Sequence, residues 1–217
     1  MKILIIGATG HVGRAAAAAL DGHEIVAASR SGRPQVDVTD PASIERLFGE
    51  VGTVDAVIAA VGSVPFAPLA ELGRDSYESA FRGKVLSQLD IVRIGTPFVR
   101  DGGSFTLTSG VLAREPIATG AAASLANGAL EAFVLGAAPE LPRGIRINAV
   151  SPSVLADAPS YHSAFPASSR CPRTGSARRM RRACSACRPG GSSPSTERAG
   201  PWTPRGARAQ SSRSAAR

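Results

Sequence analysis

Between residues 2 and 151 the chain alternates six short apolar runs with segments of helical period. That alternation leaves few architectures open. Residues 2–6 (KILII), 24–29 (EIVAAS), 35–38 (QVDV), 54–62 (VDAVIAAVG), 103–109 (GSFTLTS) and 145–151 (IRINAVS) read as strands. Runs this short and this apolar suit strands buried on both faces, which parallel sheets require. The intervening segments read as helices. Residues 14–20 are small and can pack close to a sheet, and Asp40 is placed to cap a helix opening at Pro41, with Ile44, Leu47 and Phe48 on one side. Residues 75–95 form a long helix with Phe81, Val85, Leu89 and Val92 along one stripe, and an Ala-rich helix spans 119–138. Short βα connections then predict an open, doubly wound, mostly parallel α/β sheet.

The turn between the first strand and the first helix reads GATGHVG, residues 7–13. Gly7 permits the tight turn, Gly10 lets main-chain amides approach a phosphate, and Gly13 lets the helix pack closely on the strand. Thr9, His11 and Val12 complete a phosphate-binding loop at a helix N-terminus, where backbone N–H groups and the helix dipole favour an anion. This motif follows a strand and opens a helix, the context a dinucleotide site needs.

The end of the second strand selects the nucleotide. A binder of NAD usually carries a carboxylate there for the ribose hydroxyls; this chain has Ser29 and Arg30, with Arg33 close by. A guanidinium matches a 2′-phosphate bidentately, so NADP(H) is expected over NAD.

Together these landmarks resemble the short-chain dehydrogenase/reductase family. The resemblance covers about residues 1–158 and implies a Rossmann-like three-layer sandwich over residues 1–160. It places Asp37 and Val38 of VDVTD at the adenine, and Ala60 and Gly62 of IAAVG where the family has an Asn-Ala-Gly motif. Residues 102–110 (GGSFTLTSG) look like the strand that delivers a catalytic Ser, and residues 146–157 (RINAVSPSVLAD) like the segment over the nicotinamide.

The family's chemistry uses a Tyr that exchanges the proton at the carbonyl oxygen and a Lys four residues on. Aligning NGALEAF (127–133) on that helix puts Ala123 at the Tyr position and Asn127 at the Lys position, and residues 117–130 contain neither Tyr nor Lys. The chain thereby resembles a short subset of the family with the same NGALEAF signature and without the pair. Asn127 retains the ability to hydrogen-bond a ribose. Ser109 is the remaining candidate to polarise a carbonyl, although the spacing also allows Gly110 at that place, and a hydroxyl closing a strand end is the alternative. Lys84, one of only two lysines, falls where the family has an Asn lining the active site. It is a candidate to bind ribose or phosphate or to act as an acid with a lowered pKa; the alternative is a snorkelling surface lysine. A small carbonyl or alcohol substrate and a homodimer through helices 75–95 and 119–138 are further implications of the resemblance.

Composition matters at the C-terminus. Of 25 Lys+Arg, twelve are arginines in residues 167–217, where Glu197 is the only acid and Val, Ile, Leu, Phe and Tyr are absent. Such a segment cannot bury enough apolar surface to offset its ordering entropy, so residues 161–217 are expected to form a disordered tail. Without interleaved aromatics its arginines offer nucleic acid only non-specific attraction. Cys184 and Cys187 make half a zinc site at most, so no metal is expected. The break near residue 166 reads as a shifted frame: with GC-rich codons chosen for residues 167–176, restoring one base before Ala167 would yield a continuation like the family's. On that reading the final strand is missing and the sixth strand's edge is unpaired, so a repaired homologue should melt at a higher temperature; sequencing the gene region tests it. The cysteine-free body, an opening apolar run too short for a signal peptide and the absence of any stretch near 20 apolar residues predict a cytoplasmic protein with no membrane span.

Overall fold

The structure, a computed structural model, describes residues 1–153. The tail expected over 161–217, with its cysteines, and the frame shift and missing final strand expected there lie outside the described residues. So does the end of the domain expected at residue 160.

Five parallel strands make one sheet in the order β2-β1-β3-β4-β5: β1 (Lys2–Ile6), β2 (Glu24–Ala28), β3 (Val54–Ala59), β4 (Val99–Thr108) and β5 (Arg146–Val150). The fold is the expected doubly wound, Rossmann-like α/β sandwich. The pleat sorts the strands' side chains. Leu4, Ile6, Val57, Ala59, Phe105, Leu107 and Ile147 face a core completed by α2 (Pro41–Val51), α4 (Ser87–Gly95) and α5 (Ala121–Ala137). Ile3, Ile5, Ala56 and Ile58 face α1 (His11–Ala19) through Ala16 and Leu20. Successive connections run first to one side of β1 and then to the other, so right-handed crossovers put α1 on one face and α2, α4 and α5 on the opposite one.

Local chemistry explains the elements. Asp40 Oδ1 accepts from Ala42 N at 3.0 Å with Pro41 at the first helical position, and Ile44, Leu47 and Phe48 are buried as the pattern predicts. Two expectations need correction. Residues 35–38 form no strand; only an isolated parallel bridge joins Ser29 to Gln35. Pro34 just before the segment has no N–H to give a ladder, and Asp37 Oδ1 is drawn into a turn by Thr39 N at 2.9 Å and Thr39 Oγ1 at 2.7 Å. The sheet therefore has five described strands where six were expected.

The long helix is also not uniform. It runs as α3 (Arg74–Ala80), a π-helical turn over Phe81–Leu86, and then α4. The wider turn shifts the phase of the buried face. Val85 and Val92 are buried as expected, whereas Phe81 and Leu89 are only half-buried and Gln88 and Ile91 take the innermost places. Among the described residues no helix is long and apolar enough to cross a membrane.

Candidate functional site

The direction of winding reverses between β1 and β3. At the C-terminal ends of these strands the chain leaves a crevice, as open α/β sheets do at such a point. Two adjoining cavities of about 500 and 450 Å³ make it up, sharing Gly10 and the residues Ala60–Ser63 that follow β3.

The glycine turn forms the base of the crevice. Gly7 has φ +87°, and a Cβ there would meet the Ala60 carbonyl oxygen and would lie 2.8 Å from Val61 Cγ1. A Cβ on Gly13 would meet the Gly7 carbonyl oxygen and approach Ala8 Cα to 2.7 Å. Only hydrogen fits at either place. Gly10 precedes α1, whose start has no side-chain cap and no acid in its first turn, so the helix dipole there faces no competing carboxylate of its own.

The larger cavity is lined by Gly7, Thr9, Gly10, Ser29, Arg30, Asp37, Val38, Ala60 and Gly62. Ser29 Oγ is buried, in a residue 4% exposed, and makes no hydrogen bond. Arg30 forms no salt bridge within the described residues, and its carbonyl accepts from Gln35 Nε2 at 2.8 Å. The two bonds from Thr39, helped by the Arg30 charge, hold the Asp37 carboxyl below its usual range.

The smaller cavity is lined by Gly10, His11, Val12, Ala60, Gly62, Lys84, Ser109 and Asn127, with Val64, Phe66, Leu112 and Ala123 adding apolar wall. The crevice thus brings together every site residue expected from sequence except Gly13, which lies beneath it in the turn. Asn127 is 3% exposed and its Oδ1 makes no hydrogen bond. Lys84 arrives from the π turn. Its stem crosses Gly62, where a Cβ would lie 2.8 Å from Lys84 Cγ, and its Nζ donates to the Ser109 carbonyl oxygen at 3.1 Å. No described carboxylate pairs with it. Burial pushes the Lys84 amine down to about 8.

Ser109 is placed differently from a carbonyl-polarising group. Its hydroxyl lies 2.8 Å from Glu131 Oε1 and 3.3 Å from the Asn127 carbonyl oxygen, and Glu131 Oε2 in turn holds Arg114 Nη2 at 2.6 Å. The hydroxyl closes a strand end and fastens it to α5, and only the main chain of Ser109 serves Lys84.

Gln88 is the structural residue that the sequence reading passed over. It is fully buried on α4. Its Nε2 donates to the carbonyls of Val61 and Thr108, both at 3.0 Å, and its Oε1 accepts from Thr108 N at 2.9 Å. One amide thus bridges the chain ends of β3 and β4 on the crevice floor. The signal was a polar residue three after Val85 and four before Val92, on the inner face of an apolar helix. Gln88→Leu is expected to destabilise the fold by about 2 kcal/mol, because it strands the Thr108 N–H and two carbonyls. Urea unfolding measures it; an unchanged midpoint would show that water satisfies these groups.

Comparison with known proteins follows the same lines. The family model described as enoyl-(acyl carrier protein) reductase matches residues 11–177. The structure of the protein lin1944 from Listeria innocua is 39% identical, covers 87% of this chain and 96% of that one, and superposes with a TM-score of 0.84. A small-chain dehydrogenase solved in complex with NADPH is 28% identical over 71% of each chain, with a TM-score of 0.66. Versicolorin reductase stcU of Emericella nidulans is 28% identical over 127 residues, 56% of this chain and 48% of that protein. The chain spans about half the length, or less, of the curated relatives it matches.

Proposed function

This chain belongs to the short-chain dehydrogenase/reductase family of oxidoreductases, and from that membership we propose that it binds NADP(H) and acts on a small carbonyl or alcohol without the family's Tyr and Lys. The observation that carries the reading is a pair of buried, unpartnered polar atoms, Ser29 Oγ and Asn127 Oδ1, in residues that line one each of the two adjoining cavities. Buried polar groups without partners are rare and costly, so a ligand spanning the crevice is their natural complement. A dinucleotide has the required chemistry, and the solved small-chain dehydrogenase holds NADPH.

The chain's residues divide the work by position. The N–H groups around Gly10, His11 and Val12 would take the diphosphate, with Gly7, Thr9 and Gly13 shaping their loop. Ser29 and Arg30 would hold a ribose phosphate, and Asp37 and Val38 the adenine. Ala60 and Gly62 would form the floor, and Asn127 would bond the second ribose. When bound, the cofactor supplies or accepts a hydride. The proton at the substrate oxygen then falls to Lys84, whose ammonium faces the crevice and whose lowered pKa makes it a better acid than an ordinary lysine. Ser109 is left out of the chemistry because its hydroxyl is held by Glu131. We further propose that residues 1–160 form the binding domain, in the cytoplasm, and that the helix faces carrying Leu86, Leu125 and Leu135, all exposed, pair two copies of the chain.

The locked Ser109 hydroxyl and the Ala at position 123 favour a second reading, a non-catalytic NADP(H)-binding protein. NADPH titration with and without a panel of carbonyls separates the two. Turnover that disappears in Lys84→Ala supports the enzyme, and binding without any turnover supports the second reading. Failure to bind NADPH overturns both.

Arg30→Ala is expected to raise the dissociation constant for NADPH by about tenfold and to leave that for NADH within about twofold, since a charge-assisted contact contributes roughly 1.5–3 kcal/mol. Calorimetry with each cofactor checks it. Equal weakening of both would show that Arg30 does not read the 2′-phosphate.

A further inference from the structure

Lys84 has a combination of properties that proton donation does not require. It lines a cavity to which Val64, Phe66, Leu112 and Ala123 also contribute apolar wall, and no described carboxylate pairs with it. A lysine on a protein surface is a solvated cation; here the single fixed contact of Nζ is the Ser109 carbonyl, which takes one N–H and steadies the nitrogen. The acid on α5, Glu131, is taken up by Arg114 and Ser109, so it cannot hold the amine as a permanent ammonium.

We propose that Lys84 is a covalent carbonyl-capturing site, forming an imine with small, uncharged, apolar aldehydes that enter the crevice. Desolvated amines with lowered pKa are the nitrogen nucleophiles of Schiff-base chemistry. The lone pair of neutral Nζ adds to the carbonyl carbon while the carbonyl oxygen takes up a proton, giving a carbinolamine. Loss of the hydroxyl with the remaining N–H proton as water leaves the C=N bond. No oxidant or reductant is consumed, and no bound cofactor is needed, although the site shares its crevice with the proposed cofactor.

The chain is suited to the test because its amines are few: Lys84, Lys2 and the N-terminus. Lys2 Nζ donates to the Val51 carbonyl at 2.6 Å and lies outside the crevice. The full chain is incubated with benzaldehyde near neutral pH, trapped with cyanoborohydride, and mapped by peptide mass spectrometry. Benzyl label is expected on Lys84 in about tenfold or greater excess over Lys2, following the larger neutral fraction of a desolvated amine. Label at position 84 should be lost in Lys84→Arg, whatever the N-terminus takes up, and should persist on Lys84 in Lys2→Arg. Charged glyoxylate should label Lys84 less than benzaldehyde does. Label confined to Lys2 and the N-terminus, or spread equally over all three amines, overturns the proposal, and equal labelling by glyoxylate overturns the apolar ligand class. Added NADPH should protect Lys84. Labelling without protection upholds the imine site and counts against the cofactor's reach to it. Absence of label in a protein that binds NADPH sinks the imine alone and leaves the family reading intact.

Discussion

Gly13→Val is expected to weaken NADPH binding by about 100-fold. The reason lies in main-chain geometry. A Cβ at position 13 would meet the Gly7 carbonyl oxygen and sit 2.7 Å from Ala8 Cα, so neither neighbour is a flexible side chain that can swing away. The turn must open, and the N–H groups that face the diphosphate move with it. A misplacement of about 1 Å at a preorganised site costs about 100-fold. Part of the strain will also appear as a lower thermal midpoint, because the same turn packs α1 on β1. Gly49→Ala is the matched control. It lies in the exposed interior of α2 with nothing near its Cβ position, so it should leave binding unchanged and raise stability by about 0.5–1 kcal/mol. Calorimetric titration of both variants decides the matter; a Gly13→Val protein that still binds tightly would place the diphosphate elsewhere.

Lys84→Met should stabilise the fold near neutral pH and flatten its pH dependence. In the folded chain burial pushes the amine down to about 8, whereas an unfolded chain restores the usual value near 10.5. Between those values the unfolded state holds a proton that the folded state has released, so stability rises with pH across that window. Below about 8 both states are protonated and the full cost of burying the charge remains; above about 10.5 it is gone. The groups packed around the amine do not alter this sign. The loop after β3 and the end of β4 contribute backbone, α5 contributes the neutral Asn127, and Glu131 is paired with Arg114. Methionine removes the charge and keeps a long flexible stem over Gly62. Urea midpoints at a series of pH values measure both effects. A wild-type curve that is flat from 8 to 10.5 would show that Nζ is hydrated.

Much of this arrangement could be read from residues alone because it is local. The spacing of Gly7, Gly10 and Gly13, the Asp40-Pro41 cap, and the apolar runs of β1 and β3 each state their structure within a few positions. The residues expected to touch a dinucleotide fall along one crevice for the same reason, since strand ends in a parallel sheet converge. What escaped notice depends on distant partners. Nothing near Ser109 announces that Glu131 will take its hydroxyl from another element. Nothing near Gln88 reveals that two strand ends wait for its amide. The strand expected at residues 35–38 had the right apolar pattern, but Pro34 and the Asp37–Thr39 turn outweighed it. The π turn at Phe81–Leu86 leaves no compositional trace, and with it went the true inward face of the helix.

The Gln88 amide has a consequence for anyone wishing to move this chemistry elsewhere. It stands four residues after Lys84 on one continuous helical segment, so it works as a ruler that sets how far the lysine tip projects past the strand ends. A transplant of Lys84 alone into a related scaffold would carry the nucleophile without its depth gauge. Grafted together with the π turn and Gln88, the amine would arrive at the height the strands dictate.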